Sequence, residues 1–449
     1  MQNATKILAA TASIAMLASL AACGGSDASA SAGDANKAEL VFWGWDSGNT
    51  MKDLIADFEK ANPGITVKFN NTGTASDTQT ALTNAIAAGS GAPDVVMLED
   101  PTVTQFAVTG DLVSLSDMGA ADYANDFAAG PWNKLQYNGQ TFALPIDSGP
   151  EVFFYNKVVF DKAGVDGDSI KTWDDYYEAA KKIRAIGSYI TNNSGSSMEY
   201  QPFTAQAWQA GAQPWKVDGE SITIDMTKDA GMKRYIEFQQ KLIDEDLIDT
   251  NIANWSDDWN RSLNDGTLAS LTIGAWMPVN LMNGAPDQAG NWRVAQLPQW
   301  EEGQEISAED GGSALAIVKQ SKQQAAAYKF IDYLTHGAGA ETMAETGTFP
   351  SLKKILESSS FTDPTSEANK KVNDFFGGQN VNEVLSEAAQ RKVTDFQYLP
   401  YNPYAQTTFG DQISKAYTKE ITLSEAFANY SKALAEHGQQ QGYSVTDND

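Results

Sequence analysis

The amino-acid sequence predicts an α/β protein built from two doubly wound lobes. Three observations carry that expectation. A strand–helix–strand–helix–strand pattern fills residues 40 to 98, and a second α/β unit opens on a capped helix at Thr172. Roughly 410 residues have a globular composition, more than one ordinary domain of ~100–200 residues holds.

Taken in order, the chain opens with an export signal. Lys6 is the only charge in the first 22 residues, an apolar run occupies 7 to 20, and small residues lead into Cys23; that run is too short for a spanning helix. LAAC at residues 20 to 23 resembles the lipobox of bacterial lipoproteins, in which the cysteine becomes the new N-terminus and carries lipid. Cys23 is the only cysteine of 449 residues, so no disulfide framework or Cys-rich metal site can form. Residues 23 to 37, rich in Gly, Ser, Ala and Asp, read as a flexible tether.

The first strand, LVFWG from Leu40, carries Trp43 inside its apolar run, which marks that indole as core. Trp45, Asp46 and Ser47 follow Gly44 at the strand end. Met51, Leu54, Ile55 and Phe58 recur at helical spacing behind Thr50 and Asp53, which read as a capping-box variant, and Asn62-Pro63-Gly64 ends that helix. Ile65, Val67 and Phe69 alternate as a second strand, Leu82, Ala85 and Ile86 mark a second helix stopped at Gly89, and Val95 to Leu98 form a third strand ending in Glu99 and Asp100. Such βαβ units give parallel strands whose carboxyl ends hold ligands. The Trp45-Asp46-Ser47 and Glu99-Asp100 clusters therefore lie at one edge of one sheet.

Asp147, Ser148, Gly149 and Pro150 separate two apolar stretches, as expected where a chain crosses between domains. Thr172 with Asp175 caps a helix carrying Trp173, Tyr176, Tyr177, Ala180 and Ile183. Aromatic and polar residues interleave over 198 to 215, where Trp208 and Trp215, seven apart, fit either a ligand wall or a helix stripe facing the core. Residues 268 to 273 form a strand ending at Gly274, Ala275, Trp276 and Met277, and residues 311 to 320 form another, followed by a helix around Tyr328 to Leu334. Asp395, Phe396, Tyr398, Tyr401, Asn402 and Tyr404, around Pro400 and Pro403, are expected to form an aromatic loop rather than a regular helix.

The stretches LVFWGWDSG and DLIADFEKANPGITV, GSGAPDVVML, PIDSGPEVFFYNK, KTWDDYYEAAKKI, GTLASLTIGAW and SALAIVKQSKQQAAAYKFIDYLT resemble, in sequence and order, the family 1 extracellular solute-binding proteins of ABC importers, the group that includes maltose-binding protein. The resemblance covers residues 40 to 435. It implies a type II periplasmic-binding-protein fold, two lobes joined by a three-segment hinge, with an oligosaccharide in the cleft between them. Carried onto this chain, one lobe is 38–146 plus 309–348 and the other 150–305 plus 351–449. It further implies a monomer that hands its carbohydrate to membrane permease subunits, anchored by lipid on Cys23, with no cofactor or metal.

A pyranose has apolar C–H faces and a rim of hydroxyls, so a site for it needs flat apolar side chains beside carboxylate or amide acceptors. Trp45, Asp46, Ser47, Glu99 and Asp100 supply that combination at one sheet edge. The resemblance adds Tyr200, Gln201, Trp276 and, in the crossing strand, Asp147, Ser148 and Gly149; Trp215, Met277, Gly311, Asp395 and Asn402 complete the expected set. Asp46 and Asp147 fit turn or cap roles as well, and Asp100 fits the N-cap of a following helix.

The net charge of −27 disfavours nucleic acid and anionic lipid as partners. The competing class is an exported glycoside hydrolase, which needs two carboxyl groups ~5–9.5 Å apart; among 58 acidic residues nothing in the sequence singles out such a pair. Only His336 and His437 are present, which leaves little material for a His-based metal centre or a Ser-His-Asp triad. A cationic solute is the remaining alternative for an acidic, aromatic cleft.

Overall fold

A computed structural model of the chain describes residues 33–46, 50–346, 348–393 and 396–449. The signal, Cys23 and most of the tether, together with Ser47 and Asp395, lie outside the described residues.

β1 (Ala38–Gly44) pairs in parallel with both β2 (Ile65–Asn71) and β3 (Val95–Glu99). α1 (Met51–Ala61) and α2 (Ala75–Ala88) are the crossovers. α1 forms where the spacing places it, burying Met51, Leu54, Ile55 and Phe58 on one face, each worth ~1.5–3 kcal/mol of burial. Its cap differs from the expected capping box. Thr50 makes no side-chain cap bond; the Asp46 carboxylate instead accepts from the backbone N–H groups of Thr50 and Met51, both at 3.0 Å. α2 stops at Gly89, whose φ of +68° is the left-handed conformation that glycine adopts without steric cost.

The first sheet is completed by two strands that arrive from later in the chain, Ser313–Ile317 beside β3 and then Ala143–Pro145. Ser313–Ile317 runs antiparallel to both neighbours. Its first residue pairs with Glu99, the last of β3, so the chain enters this sheet at the carboxyl edge of the parallel strands. The second sheet has the strand Glu151–Asn156 at its centre, flanked in antiparallel fashion by Ser270–Gly274 and Trp292–Gln296. The Thr172–Asp175 capping box is present, and its helix Trp173–Ala185 buries Trp173, Tyr176, Ala180 and Ile183.

Three segments run side by side where the chain passes between the sheets. Asp310 N–H donates to the Gly149 carbonyl at 2.8 Å, Glu151 N–H to Ala308 at 2.9 Å, and Ser148 N–H to Phe349 at 3.1 Å. Ser351 Oγ donates to the Asp147 carbonyl at 2.6 Å. Hydrogen bonds between the crossing segments satisfy their backbone groups, and segments of this kind are where one lobe turns on the other.

The stretch after Phe396 corrects one expectation. Residues 396–401 are irregular, but a helix Asn402–Tyr417 starts inside the segment read as loop. Pro403 sits in its first turn, where a proline's missing N–H has no helical partner to lose.

Candidate functional site

The carboxyl edge of the first sheet faces the second lobe across a cavity of about 1190 Å³. Its floor follows from the topology. β1 delivers Trp45 and Asp46, β3 delivers Glu99, and the crossing segments deliver Asp147, Asp310 and Gly311; the second lobe supplies Gln201, Asn254, Trp255, Trp276 and Asn280. Among the described residues, no Lys, Arg or His lines this cavity.

Three indoles stand out in its apolar lining, beside Met97, Ile146, Ile273 and Val279. Trp45 is half-buried against the first-lobe core. Trp276, just past the end of Ser270–Gly274, is fixed at its N–H edge, which donates to the Asp310 carbonyl at 2.8 Å. Glycines make room for it, because a Cβ at Gly149, Gly274 or Gly311 would press on the indole nitrogen. Trp255 lies 5.6 Å from Trp276, centroid to centroid, and 4.9 Å from the buried Trp259. It is 42 % exposed and holds φ at +68°, a backbone conformation that bulky residues rarely adopt.

The carboxylates beneath are pushed toward their neutral forms. Burial raises Glu99 to about 7, opposed by a hydrogen bond with Gln201 from the other lobe and reinforced by Asp147. Asp147, which accepts from the Ser313 N–H and hydroxyl, is raised to about 6, again mainly by burial. Asp310 rises to about 7 for the same reason, with Lys134 pulling the other way. Burial by itself would lower Lys134, but Tyr398, Asp100, Glu309 and Asp310 around it raise its pKa overall; its ammonium donates to the Gly311 carbonyl at 3.0 Å.

Of the residues singled out from sequence, Trp45, Asp46, Glu99, Asp147, Gln201, Trp276 and Gly311 line the cavity. Seven others do not. Asp100 is the buried first residue of α3 (Asp100–Val108), behind Gly312, with neither carboxylate oxygen hydrogen-bonded. Ser148 and Gly149 turn into the hinge, where both donate to the Glu309 carboxylate, at 3.1 and 3.0 Å. The Tyr200 hydroxyl donates to the Asn402 side-chain carbonyl at 2.6 Å within the second-lobe core. Trp215 begins a strand, Trp215–Asp218, with its N–H on the Gln397 carbonyl; Trp208 lies on the preceding helix, Tyr200–Gln209, and stacks on Phe396 at 5.2 Å. Both indoles are buried, on different elements rather than on one helix stripe. Met277 is 1 % exposed under the helix it begins.

Sequence reasoning passed over Trp255 and Asn254. The signal was available, since Trp255 precedes the helix cap Ser256 and the acidic Asp257, an indole beside polar groups at an element's end, as at Trp45-Asp46.

The arrangement can hold a neutral, hydroxylated ligand by stacking and hydrogen bonding. Residues 44–340 match the model of the family described as bacterial extracellular solute-binding protein. The chain is similar to the ABC-transporter-associated binding protein of B. animalis subsp. lactis Bl-04, solved in complex with β-1,6-galactobiose: 46 % identity, TM-score 0.82, covering 92 % of this chain and 100 % of that one. The galacto-N-biose/lacto-N-biose I-binding protein of Bifidobacterium longum, solved with lacto-N-biose, aligns at 27 % identity and TM-score 0.78, over 92 % of this chain and 100 % of that one. An arabinooligosaccharide-binding protein of Halalkalibacterium halodurans is 25 % identical over 402 residues, 86 % of this chain and 88 % of that protein.

Proposed function

The chain belongs to the bacterial extracellular solute-binding protein family, and from that premise we propose that it captures a neutral oligosaccharide between its lobes and delivers it unchanged to an ABC permease. The observation that supports this most is the meeting of Trp45, Trp255 and Trp276 with carboxylates and amides in one cavity that no basic side chain lines among the described residues. Indole faces match the C–H faces of pyranoses, and the oxygens and amides match the hydroxyl rim. A ligand touching both lobes stabilises the closed population, and the changed outer surface is what a permease can read.

The lobes divide as 38–146 plus 309–348 and 150–305 plus 351–449, with the hinge in the three hydrogen-bonded crossing segments. Trp45, Asp46, Glu99, Asp147, Gln201, Trp276 and Gly311 form the site, joined by Trp255 and Asn254. β-1,6-galactobiose, the ligand of the 46 % identical relative, is the first candidate. A cationic solute would also find carboxylates here, but Glu99 and Asp310, raised to about 7, offer less negative charge than their number implies.

Calorimetric titration against β-1,6-galactobiose, lacto-N-biose, arabino-oligosaccharides, a galacturonate oligomer and a polyamine tests the reading. Saturable binding of a neutral sugar, recovered intact, supports it; binding of the polyamine alone, or cleavage of the sugar, overturns it. The mature protein is held to the outer face of the membrane by lipid on Cys23. Cys23→Ala should move it from the membrane fraction to the soluble one with sugar affinity unchanged, and a variant still membrane-bound without an acyl group would refute the anchor.

A further inference from the structure

Behind the stretch of cavity wall formed by Asn254 and Trp255 lies a buried polar relay. Asn192, itself buried, accepts at its side-chain carbonyl from the Trp259 indole N–H at 3.1 Å. Its amide donates to the Ile252 carbonyl at 3.0 Å and to the Asn254 side-chain oxygen at 2.7 Å. The two ends of an asparagine amide have nearly the same shape, so only partners with a single hydrogen-bonding role fix which end is which. Trp259 is such a partner, because an indole N–H can only donate; the Ile252 carbonyl is another, because it can only accept. Together they hold Asn192 in one orientation, and its N–H then requires an oxygen from Asn254. The backbone is tied down at the same point. Glu199, also buried, accepts from the Asn254 N–H at 3.0 Å and from the hydroxyls of Ser194 and Ser196.

With its oxygen held inward, Asn254 has only its NH2 group left for the cavity it lines, and that nitrogen has no acceptor among the described residues. Resting on the carbohydrate reading above, we infer that Asn192 is a positioning residue that makes Asn254 a donor-only contact beside the Trp255 indole, so that a hydroxyl or ring oxygen of a neutral sugar is received there and an ammonium is refused. An amide free to rotate serves ligand donors and acceptors alike. A fixed one discriminates, because a ligand N–H set against it leaves two donors facing each other unpaired.

The test follows the side-chain NH2 resonances of protein isotopically labelled at asparagine nitrogen, with Asn254 assigned by its loss in Asn254→Ala. In the ligand-free parent the Asn192 NH2 protons should exchange slowly and those of Asn254 rapidly, and saturation with β-1,6-galactobiose, or the neutral sugar that titrates tightest, should shift and protect the Asn254 pair. Asn192→Asp keeps the acceptor for Trp259 but can no longer donate, so the Asn254 amide should turn inward. Its NH2 should then be protected before sugar is added and unmoved by it. Calorimetric affinity should fall about two- to tenfold, the worth of one hydrogen bond, with no further loss when Asn192→Asp is added to Asn254→Ala. An Asn254 NH2 protected in the ligand-free parent, or unmoved at saturation, overturns the donor contact while the carbohydrate reading stands; these parent measurements decide even where Asn192→Asp does not fold. Equal loss from Asn192→Asp in both backgrounds overturns the positioning role. Failure of every neutral sugar to bind the parent protein overturns both readings.

Discussion

Replacing Trp255 with Ala separates a ligand platform from a packing residue. Its indole is 42 % exposed at the cavity mouth, and covering that face with a sugar ring buries apolar surface worth up to ~1.5–3 kcal/mol. At ~1.4 kcal/mol per tenfold, Trp255→Ala should weaken sugar binding by about ten- to a hundredfold in calorimetry. The ligand-free protein loses only ring contacts with Trp259 and Trp276, about 0.5–1.5 kcal/mol per pair. A second substitution isolates the backbone. With φ at +68°, any residue with a Cβ pays a left-handed penalty of ~1–2 kcal/mol that glycine avoids. Trp255→Gly should therefore be more stable than Trp255→Ala by about 1 kcal/mol in denaturant unfolding, with the same weak binding. Near-normal affinity in both variants would refute the platform, and a Gly variant no more stable than the Ala variant would refute the strain.

The remaining predictions concern neighbouring groups. Asp46→Ala removes the acceptor for Thr50 and Met51, so stability should fall by ~0.5–2 kcal/mol; an unchanged denaturation midpoint would show that α1 does not depend on this cap. Trp276→Phe keeps a ring but loses the bond to Asp310, so its affinity should lie between parent and Trp276→Ala, and affinity equal to that of the Ala variant would place the effect in the N–H rather than the stack. Glu99, Asp147 and Asp310 hold their protons more tightly folded, at about 7, 6 and 7, than unfolded. The native state then binds the extra protons, and stability should fall as pH rises from about 4 to about 7. The trend should persist in ~0.5 M salt because buried groups are poorly screened; a flat or rising melting profile would contradict it.

Much of this was legible because it depends on local periodicity. The β1–α1–β2–α2–β3 order, the Thr172–Asp175 cap and the placing of Trp45, Asp46 and Glu99 at one sheet edge all follow from spacing and from the rule that parallel strands end together. Tyr200 and Asn402 were expected at the cavity but bond to each other across 202 positions of sequence, a pairing that no window shows. Asp46 takes both roles its sequence left open, cap and cavity wall, while the capping box read at Thr50 and Asp53 does not form. Trp255 was passed over although Ser256 and Asp257 behind it repeat the pattern of Trp45-Asp46; only its left-handed backbone lies beyond what the sequence displays. The antiparallel entry of Ser313–Ile317 was likewise set by tertiary pairing, since a fully buried strand reads the same in either direction.

The most direct test of the central claim is scattering by the protein, from residue 24 onward, with and without the sugar that titrates tightest. A ligand held between lobes joined by three hydrogen-bonded crossings should shrink the radius of gyration at saturation, with the sugar recovered intact afterwards. An unchanged radius at saturation would contradict a closing cleft.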